Sequence, residues 1–416
     1  MRRGHFSLNE LPAWSTLNGV NFLDVIVASI NGRGNGLVAK KDLISQESDS
    51  EPLTLLTIPK ELVLSAEGVE EYAKENKYFR QLLDTAGRQS AVAAKLTVLT
   101  KEFDDLRENM ATLPYWNDIL SIDESITIRD WILLDALYRS RSLGLPKSGE
   151  SMVPCLDLVN HSSQATAYFD ENSEDEVVLY LRKGGLVPAG SEITIDYGQE
   201  KSPAEMLFSY GFIDPNSAAR SITLPLEPLE DDPLAIPKLH AFGTPPKLKL
   251  EEDESGVPHW TAPFVYLMCL NEEDGLRFRV LQETDGSRHL KIFWQNIDVT
   301  DVSNTMKDLI QDHELRQIFE LRAVTVIMGI IQQQLEQLIS AQNGDSVAGR
   351  ASTKVYQAIS QLRSLETSIL QKSIQALDEQ RDQLLRDDTV VEYLTMMGSD
   401  QNDPGAEAAT DEEDFS

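Results

Sequence analysis

Three polar residues, Asp157, Asn160 and His161, interrupt an apolar run in the 416-residue chain. Further along, Tyr197 and Tyr210 each precede a glycine, 13 residues apart. Buried carboxylate, amide, imidazole and phenol groups cost free energy unless they have hydrogen-bond partners. An Asn-His pair taken alone is also typical of a turn. The ordered set of polar residues, however, indicates a functional site.

The order of these motifs resembles that of the SET-domain methyltransferases, in the branch typified by the plant Rubisco large-subunit lysine methyltransferase. In that branch an Asn-His-Ser follows an apolar strand, a catalytic Tyr comes next, and a second Tyr lies in a Tyr-Gly-Phe. The matching segments here are 160–162, Tyr197 and 210–212. The resemblance covers roughly residues 22–215, and beyond them it rests on domain order and helical content.

The resemblance implies S-adenosyl-L-methionine as the methyl donor, a lysine of a protein as the acceptor, and no metal. It implies that Tyr197 is the catalytic hydroxyl and also contacts the cofactor. The other cofactor-binding residues that it implies are Arg33, Gly34, Asn35, Gly36, Arg141, Asn160 and His161. The residues that it places at the substrate lysine are Asp157, Tyr168, Tyr210 and Phe212.

Physical reasons support two of these assignments. Glycines in the turn at 33–36 let the backbone approach a ligand closely, although this turn alone is also typical of a plain hairpin. An arginine binds a carboxylate with two hydrogen bonds, and Arg141 has the right position before the Asn-His motif, with Arg139 as the alternative. Arg33 differs from the Glu common in the plant enzymes, so the resemblance does not indicate whether the Arg33 side chain contacts the cofactor.

Composition excludes several classes of function. The formal net charge of −31 argues against nucleic acid as a partner, because phosphate binding needs basic patches. The same charge would attract a basic protein, or it serves solubility alone. No apolar run approaches the roughly 18 residues of a membrane span, and the N-terminus lacks the apolar segment of a secretory signal. Only two cysteines, Cys155 and Cys269, indicate a reducing compartment, cytosol or nucleus.

The expected fold class is α+β: a β-rich SET domain of short strands with an inserted helical subdomain, then a mainly α-helical C-terminal domain. Runs rich in β-branched residues predict strands at 25–30, 37–40, 53–58, 176–181 and 191–195. Apolar residues at helical spacing predict helices at 70–83, 91–110, 128–143 and 203–208, and two long ones at about 313–342 and 351–388.

These elements predict a catalytic domain over 1–223, with the helical insertion at about 59–143. Residues 224–258, rich in proline and acidic residues, are interpreted as a linker or irregular crossover. A helical substrate-binding domain is expected over 259–398, and a disordered acidic tail over 399–416.

The leading hypothesis is a protein-lysine methyltransferase that acts on a non-histone, basic protein, such as a ribosomal protein or translation factor. One alternative is a histidine methyltransferase of the same fold, and Tyr210 favours lysine over histidine. The other alternative is a catalytically silent SET-fold binding module, which the intact Asn160, His161 and Tyr197 disfavour. The sequence does not indicate the degree of methylation or the oligomeric state.

Overall fold

A computed structural model describes most of the chain as two compact units. The described residues are 7–65, 95–113, 126–217, 219–229, 231–253, 255–282, 288–300, 306–343 and 353–400. One unit comprises Met1–Lys201 with Glu205–Ala218, and the other comprises Ser202–Ala204 with Ala219–Ser416. The helix predicted at 70–83 and nearly all of the predicted tail lie outside the described residues.

Short strands dominate the first unit. They are β1 (Asn21–Phe22), β2 (Val25–Ile30), β3 (Gly34–Ala39), β4 (Leu43–Ile44), β5 (Thr54–Pro59), β6 (Leu64–Ser65), β7 (Ser142–Leu145), β8 (Gly149–Met152), β9 (Asn160–His161), β10 (Ala167–Glu171), β11 (Glu176–Leu181), β12 (Leu186–Val187) and β13 (Glu192–Ile195). The helices are α1 (Leu11–Leu17), α2 (Lys95–Ala111), α3 (Ile128–Arg141) and α4 (Pro203–Tyr210).

One four-stranded sheet positions the polar residues of interest. Its order is β2-β3-β13-β9, with β13 antiparallel to β3 and parallel to β9. The parallel pairing sets Asn160 beside Thr194 and His161 beside Ile195. The Asn-His motif therefore lies next to the chain that leads into Tyr197.

The β2–β3 hairpin supplies the glycine turn. Residues Val25 to Ile30 pair with Ala39 to Gly34, and Gly34 has a φ of 81°, in the left-handed region that favours glycine. The predicted strands at 25–30 and 176–181 have the bounds that the structure shows, because both carry dense β-branched or apolar sequence.

The remaining sheets of the first unit are β1-β5-β11-β10, β12-β4 and β6-β8-β7. Among its described residues, the core includes Val25, Leu37, Leu56, Leu156 and Ile195. Since these side chains come from the strands and from the turn before the Asn-His motif, the core holds that motif in place.

Helix α3 begins with a capping box and ends earlier than predicted. The Thr127 backbone N–H and hydroxyl both donate to the Asp130 carboxylate, at 2.9 and 2.8 Å. The helix ends at Arg141 because the chain enters β7 at Ser142, whereas the pattern predicted 128–143. Arg139 and Arg141 occupy the last turn, where the helix dipole favours cations.

The second unit combines small sheets with long helices. Its strands are β14 (Ser221–Pro225), β15 (Lys247–Glu252), β16 (Pro258–Thr261), β17 (Leu276–Gln282), β18 (Arg288–Trp294) and β19 (Ile297–Asp298). Its helices are α5 (Ala235–Phe242), α6 (Pro263–Cys269), α7 (Met306–Ile310), α8 (Arg316–Asn343), α9 (Thr353–Leu384) and α10 (Asp388–Asp400). The two long helices confirm the predicted helical character of this half, but the second ends at Leu384 instead of 388.

Residues 224–258 are not a linker, contrary to the interpretation of the sequence. They contribute to the sheet β14-β15-β16 and form α5, because apolar residues such as Leu248 and Leu250 alternate with polar ones and are buried. The buried Lys238 ammonium anchors α5 by donating to the Asp232 carboxylate at 2.6 Å and to the carbonyls of Met268 and Leu270. Proline and acidic content concealed this alternation.

No described helix has the length and apolarity that a membrane span requires.

Candidate active site

Tyr197 follows β13 directly and is fixed by two hydrogen bonds. Its hydroxyl donates to the Val159 carbonyl oxygen at 2.8 Å, and its backbone N–H donates to Nδ1 of His161 at 3.1 Å. Both partners belong to the segment that pairs with β13. The parallel β9–β13 pairing therefore determines where the phenol points.

His161 is buried between two partners. Nδ1 accepts the Tyr197 N–H, and Nε2 lies 3.2 Å from the Asp214 carboxylate. Burial pushes the pKa of Asp214 upward, but hydrogen bonds from the backbones of Asn216 and Ser163 outweigh it and hold that pKa below its usual value. These contacts on both ring nitrogens fix the orientation of the His161 ring.

Three aromatic side chains pack around or next to the Tyr197 ring. The Tyr197 ring lies 4.7 Å from Tyr210 and 5.2 Å from His161, between ring centroids. Phe212 lies 5.9 Å from His161 and 6.3 Å from Tyr210. We call Tyr197, His161, Tyr210 and Phe212 the aromatic cluster.

The pKa of Tyr197 is raised to about 12, mainly by burial and next by the nearby Tyr210, while Arg141 and Arg33 oppose the shift. Asp157 also raises this pKa. The phenol is therefore protonated at neutral pH. These contributions also show that both arginines and Asp157 lie close enough to Tyr197 to act on its electrostatics.

The Glu192 carboxylate joins two of the predicted cofactor-binding residues. Its Oε2 accepts from Arg33 at 2.6 Å, and its Oε1 accepts from the Asn160 side-chain amide at 2.7 Å. The same amide lies 3.3 Å from the Asn35 carbonyl oxygen, and Arg33 also donates to the His161 carbonyl. We call Arg33, Glu192 and Asn160 the carboxylate network.

Gly36 packs directly beneath this network. A Cβ atom at Gly36 would lie 2.8 Å from Nδ2 of Asn160 and 2.9 Å from Oε1 of Glu192. Real Cβ atoms do not approach so closely, so a side chain at this position would force the Asn160, Glu192 and Ile30 side chains to shift. Close packing therefore favours glycine here, where the backbone has no left-handed φ.

A cavity of about 500 Å³ opens beside the network and the aromatic cluster. Its lining residues are Gly32, Arg33, Asn160, His161, Ser162, Tyr210, Gly211, Phe212, Ile213, Asp214, Pro215 and Asn216. The volume lies within the range of about 300–1,000 Å³ typical of small-molecule sites. Five of the residues predicted from the sequence thus share one cavity.

Arg141 and Asp157 pair with each other. The Arg141 guanidinium donates to the Asp157 carboxylate at 3.1 Å and to its backbone carbonyl at 3.2 Å. Burial raises the pKa of Asp157, and the opposing effect of Arg141 is too weak to reverse the shift. Arg139, the alternative to Arg141, instead binds Asp135 and the Phe208 carbonyl.

Tyr168 lies apart from these groups in the described contacts. It belongs to β10, where it pairs with Tyr180 on β11, and the two rings are 5.5 Å apart. It does not line the 500 Å³ cavity. Its predicted contact with a substrate lysine remains a prediction.

Sequence reasoning missed Glu192 and Asp214 as site residues. Glu192 opens the strand that leads to Tyr197, and its position opposite Val38 on β3 places it next to the glycine turn. The only available signal was an acidic residue at the edge of an apolar strand. Asp214 follows the Tyr-Gly-Phe motif, and nothing in its spacing indicated that it meets His161.

Two features of the cavity suit S-adenosyl-L-methionine: the turn contributes a glycine, Gly32, to its lining, and Arg33, Asn160 and His161 supply polar groups. Of the cofactor-binding residues predicted from the sequence, Arg33, Asn160 and His161 line this cavity and would hold the cofactor there. Gly34, Asn35, Gly36, Arg141 and Tyr197 do not line it, and their contacts with the cofactor remain predictions. Both guanidiniums already bind carboxylates, Arg33 that of Glu192 and Arg141 that of Asp157. Among the described residues, no group of three or more His, Cys, Asp or Glu side chains is placed to hold a metal ion.

The sequence relatives of this chain include three proteins with named domains or activities. SET domain-containing protein 8 of Schizosaccharomyces pombe is 30% identical over 307 residues, covering 73% of this chain and 67% of that protein. The Rubisco large subunit N-methyltransferase of Pisum sativum is 33% identical over 125 residues, 28% of this chain and 26% of that protein. The fructose-bisphosphate aldolase-lysine N-methyltransferase of Arabidopsis thaliana is 30% identical over 122 residues, 27% of this chain and 25% of that protein. No family model matches the chain.

Two solved structures share the fold. The SET domain of LSMT bound to lysine and AdoHcy superposes with a TM-score of 0.56 at 20% identity, covering 96% of each chain. Rubisco LSMT bound to AdoMet gives a TM-score of 0.55 at 19% identity, covering 97% of this chain and 98% of that one. Both matches confirm the predicted α+β class. The two structures show that the chain shares the fold of the Rubisco large-subunit methyltransferases, and the fission yeast relative shows that it belongs to the family of SET domain-containing proteins.

Proposed function

We propose that this protein transfers a methyl group from S-adenosyl-L-methionine to the side-chain nitrogen of a lysine in another protein. The observation that carries the proposal is the hydrogen bond from the Tyr197 hydroxyl to the Val159 carbonyl, made by a tyrosine whose ring packs against Tyr210. Tyr210 lines the cavity together with the Asn-His motif. The named activities of the plant relatives support the proposal.

The cofactor, when bound, supplies an electrophilic methyl group on a positively charged sulfur. The attacking lysine must be a neutral amine, and a free lysine has a pKa of about 10.4. The aromatic cluster removes water from this region, which disfavours the ammonium and promotes loss of its proton to solvent. The Tyr210 and Phe212 rings also give the aliphatic part of the lysine an apolar wall.

Tyr197 would orient the amine and would not deprotonate it. Its one hydrogen is donated to the Val159 carbonyl, so its oxygen lone pairs are free to accept a hydrogen bond from the amine N–H. A pKa raised to about 12 keeps the phenol neutral at physiological pH. The hydrogen bond to Tyr197 would point the nitrogen lone pair at the methyl group. This alignment of nitrogen, methyl group and sulfur is the main requirement of an in-line displacement.

We further propose that the substrate is a basic, non-histone protein, such as a ribosomal protein or translation factor, met in the cytosol or nucleus. The net charge of −31 supports a basic partner, and two free cysteines in 416 residues support a reducing compartment.

The experiment that tests the proposal combines purified protein, labelled S-adenosyl-L-methionine and a cell lysate, with Tyr197→Phe in parallel. The wild type should label discrete protein bands. The variant, which cannot donate to Val159, should label them at least about 100-fold more slowly, by analogy with loss of one positioned donor. Its affinity for S-adenosylhomocysteine, measured by calorimetry, should change little. Equal labelling by both proteins would contradict the proposal.

A further inference from the structure

Glu192 lies at the start of β13, with its side chain largely enclosed. Its side chain is 16% exposed, whereas that of its partner Arg33 is 42% exposed. Strand pairing places Glu192 opposite Val38 on β3, next to the glycine turn. Its carboxylate therefore sits between the hairpin that carries Arg33 and the strand that carries Asn160.

Each oxygen of the Glu192 carboxylate holds a different residue. Oε2 binds the Arg33 guanidinium at 2.6 Å, and Oε1 binds the Asn160 amide at 2.7 Å. Arg33 in turn donates to the His161 carbonyl, and the Asn160 amide reaches the Asn35 carbonyl at 3.3 Å. One side chain thus connects both sides of the turn to the Asn-His motif.

Glu192 itself is not among the residues that line the 500 Å³ cavity, whereas Arg33, Asn160 and His161 are. Any effect of Glu192 on a ligand in that cavity must therefore pass through its two partners. A carboxylate suits this position because it accepts two hydrogen bonds at once and neutralises the guanidinium.

We infer that Glu192 is a positioning residue that fixes Arg33 and Asn160 for binding S-adenosyl-L-methionine. This inference rests on the proposed function, because it assigns the cavity to that cofactor. Without Glu192, the Arg33 guanidinium and the Asn160 amide lose their common acceptor, and each must be ordered by the ligand at an entropic cost.

The test compares Glu192→Gln, Glu192→Asp and wild type. Glutamine has nearly the same shape, but it offers one acceptor oxygen and one amino group, so it can accept from Arg33 or from Asn160 but not from both. Calorimetric titration with S-adenosylhomocysteine should show a dissociation constant roughly 10- to 100-fold higher for Glu192→Gln, in line with losing a charged hydrogen bond. Glu192→Asp keeps the charge on a shorter side chain and should fall between the two.

Two controls separate positioning from general damage. The first control is Glu176→Gln. Glu176 also lies on a strand and its carboxylate accepts from the side-chain amide of Asn172 at 2.9 Å, but it does not line the cavity. This variant should bind S-adenosylhomocysteine as the wild type does. In a background that carries Arg33→Ala and Asn160→Ala, adding Glu192→Gln should change the dissociation constant by less than about threefold, because its partners are already absent.

The outcomes are distinct. A higher dissociation constant for Glu192→Gln, together with loss of its effect in the double background, supports the inference. A dissociation constant within about twofold of wild type, or an effect that persists in the double background, overturns it. Binding by the wild type without any methyl transfer would contradict the proposed function alone, since the dissociation constants would still decide the role of Glu192. A wild type that does not bind S-adenosylhomocysteine would overturn both.

Discussion

At the scale of single residues, hydrogen bonds with defined donors and acceptors hold the site residues in place. The Tyr197 hydroxyl donates to Val159, His161 accepts from the Tyr197 backbone, and Glu192 accepts twice. Every one of these polar groups is partly or fully buried, so each bond avoids the cost of an unpaired buried group. The arrangement leaves the Tyr197 oxygen with free acceptor capacity.

The raised pKa of Tyr197 gives a prediction that needs no substrate. Burial raises that pKa from 10.0 to about 12, so the neutral phenol contributes to stability fully below pH 10, and this contribution is lost as the pH rises through about 12. In a spectrophotometric titration, the difference between wild type and Tyr197→Phe should show no tyrosinate absorbance below pH 10. Ionisation of this one tyrosine near pH 10 would show that the phenol is not buried as described.

The sequence was sufficient to find several of these residues, but not their connections. Tyr197, Asn160, His161, Tyr210 and Phe212 were predicted because they form ordered motifs. Glu192 and Asp214 were missed because each acts through a partner distant in the chain, and spacing along the chain carries no signal for such a contact. The structure also pairs Arg141 with Asp157, which the sequence assigned to different ligands.

At the scale of elements, the contact between the β2–β3 hairpin and β13 decides the geometry of the site. Local sequence predicted both elements, since dense β-branched residues favour strands. The pairing of the hairpin with β13, and the parallel pairing of β9 with β13, depend on contacts between residues far apart in the sequence. The spacing of apolar residues along the chain does not predict such contacts. The same limit explains residues 224–258, where short strands and the buried Lys238 were concealed by proline and acidic residues.

Gly36 tests this contact between elements. Gly36→Ala places a Cβ within 3.0 Å of Asn160, Glu192 and Ile30, so the carboxylate network must shift. We expect the free energy of unfolding to fall by about 1–3 kcal/mol, as for other overpacked sites, and affinity for S-adenosylhomocysteine to fall with it. Chemical denaturation and calorimetry measure the two effects.

Gly144→Ala is the matched control for this change. Gly144 also lies in a strand, has no positive φ, and has no heavy atom within 4 Å of the position that its Cβ would take. Its free energy of unfolding should change by no more than about 0.5 kcal/mol. If both alanine variants behaved alike, close packing beneath the network would not be the reason for Gly36.

At the scale of the whole molecule, the net charge of −31 should govern encounter with a basic substrate. Such attraction is screened by salt, because the Debye length falls to about 8 Å at 0.15 M ionic strength. Raising the ionic strength from about 0.05 to about 0.3 M should therefore lower kcat/KM for lysate protein roughly 10-fold, with little change in kcat. A rate that is independent of salt, or that rises with it, would argue against a basic partner.

The measurement that tests the central claim most directly is tandem mass spectrometry of proteins that the purified enzyme has methylated. The account predicts methyl groups on lysine side-chain nitrogens, present after incubation with wild type and nearly absent after incubation with Tyr197→Phe. Methyl groups on histidine, or equal methylation of lysine by the wild type and the variant, would contradict it.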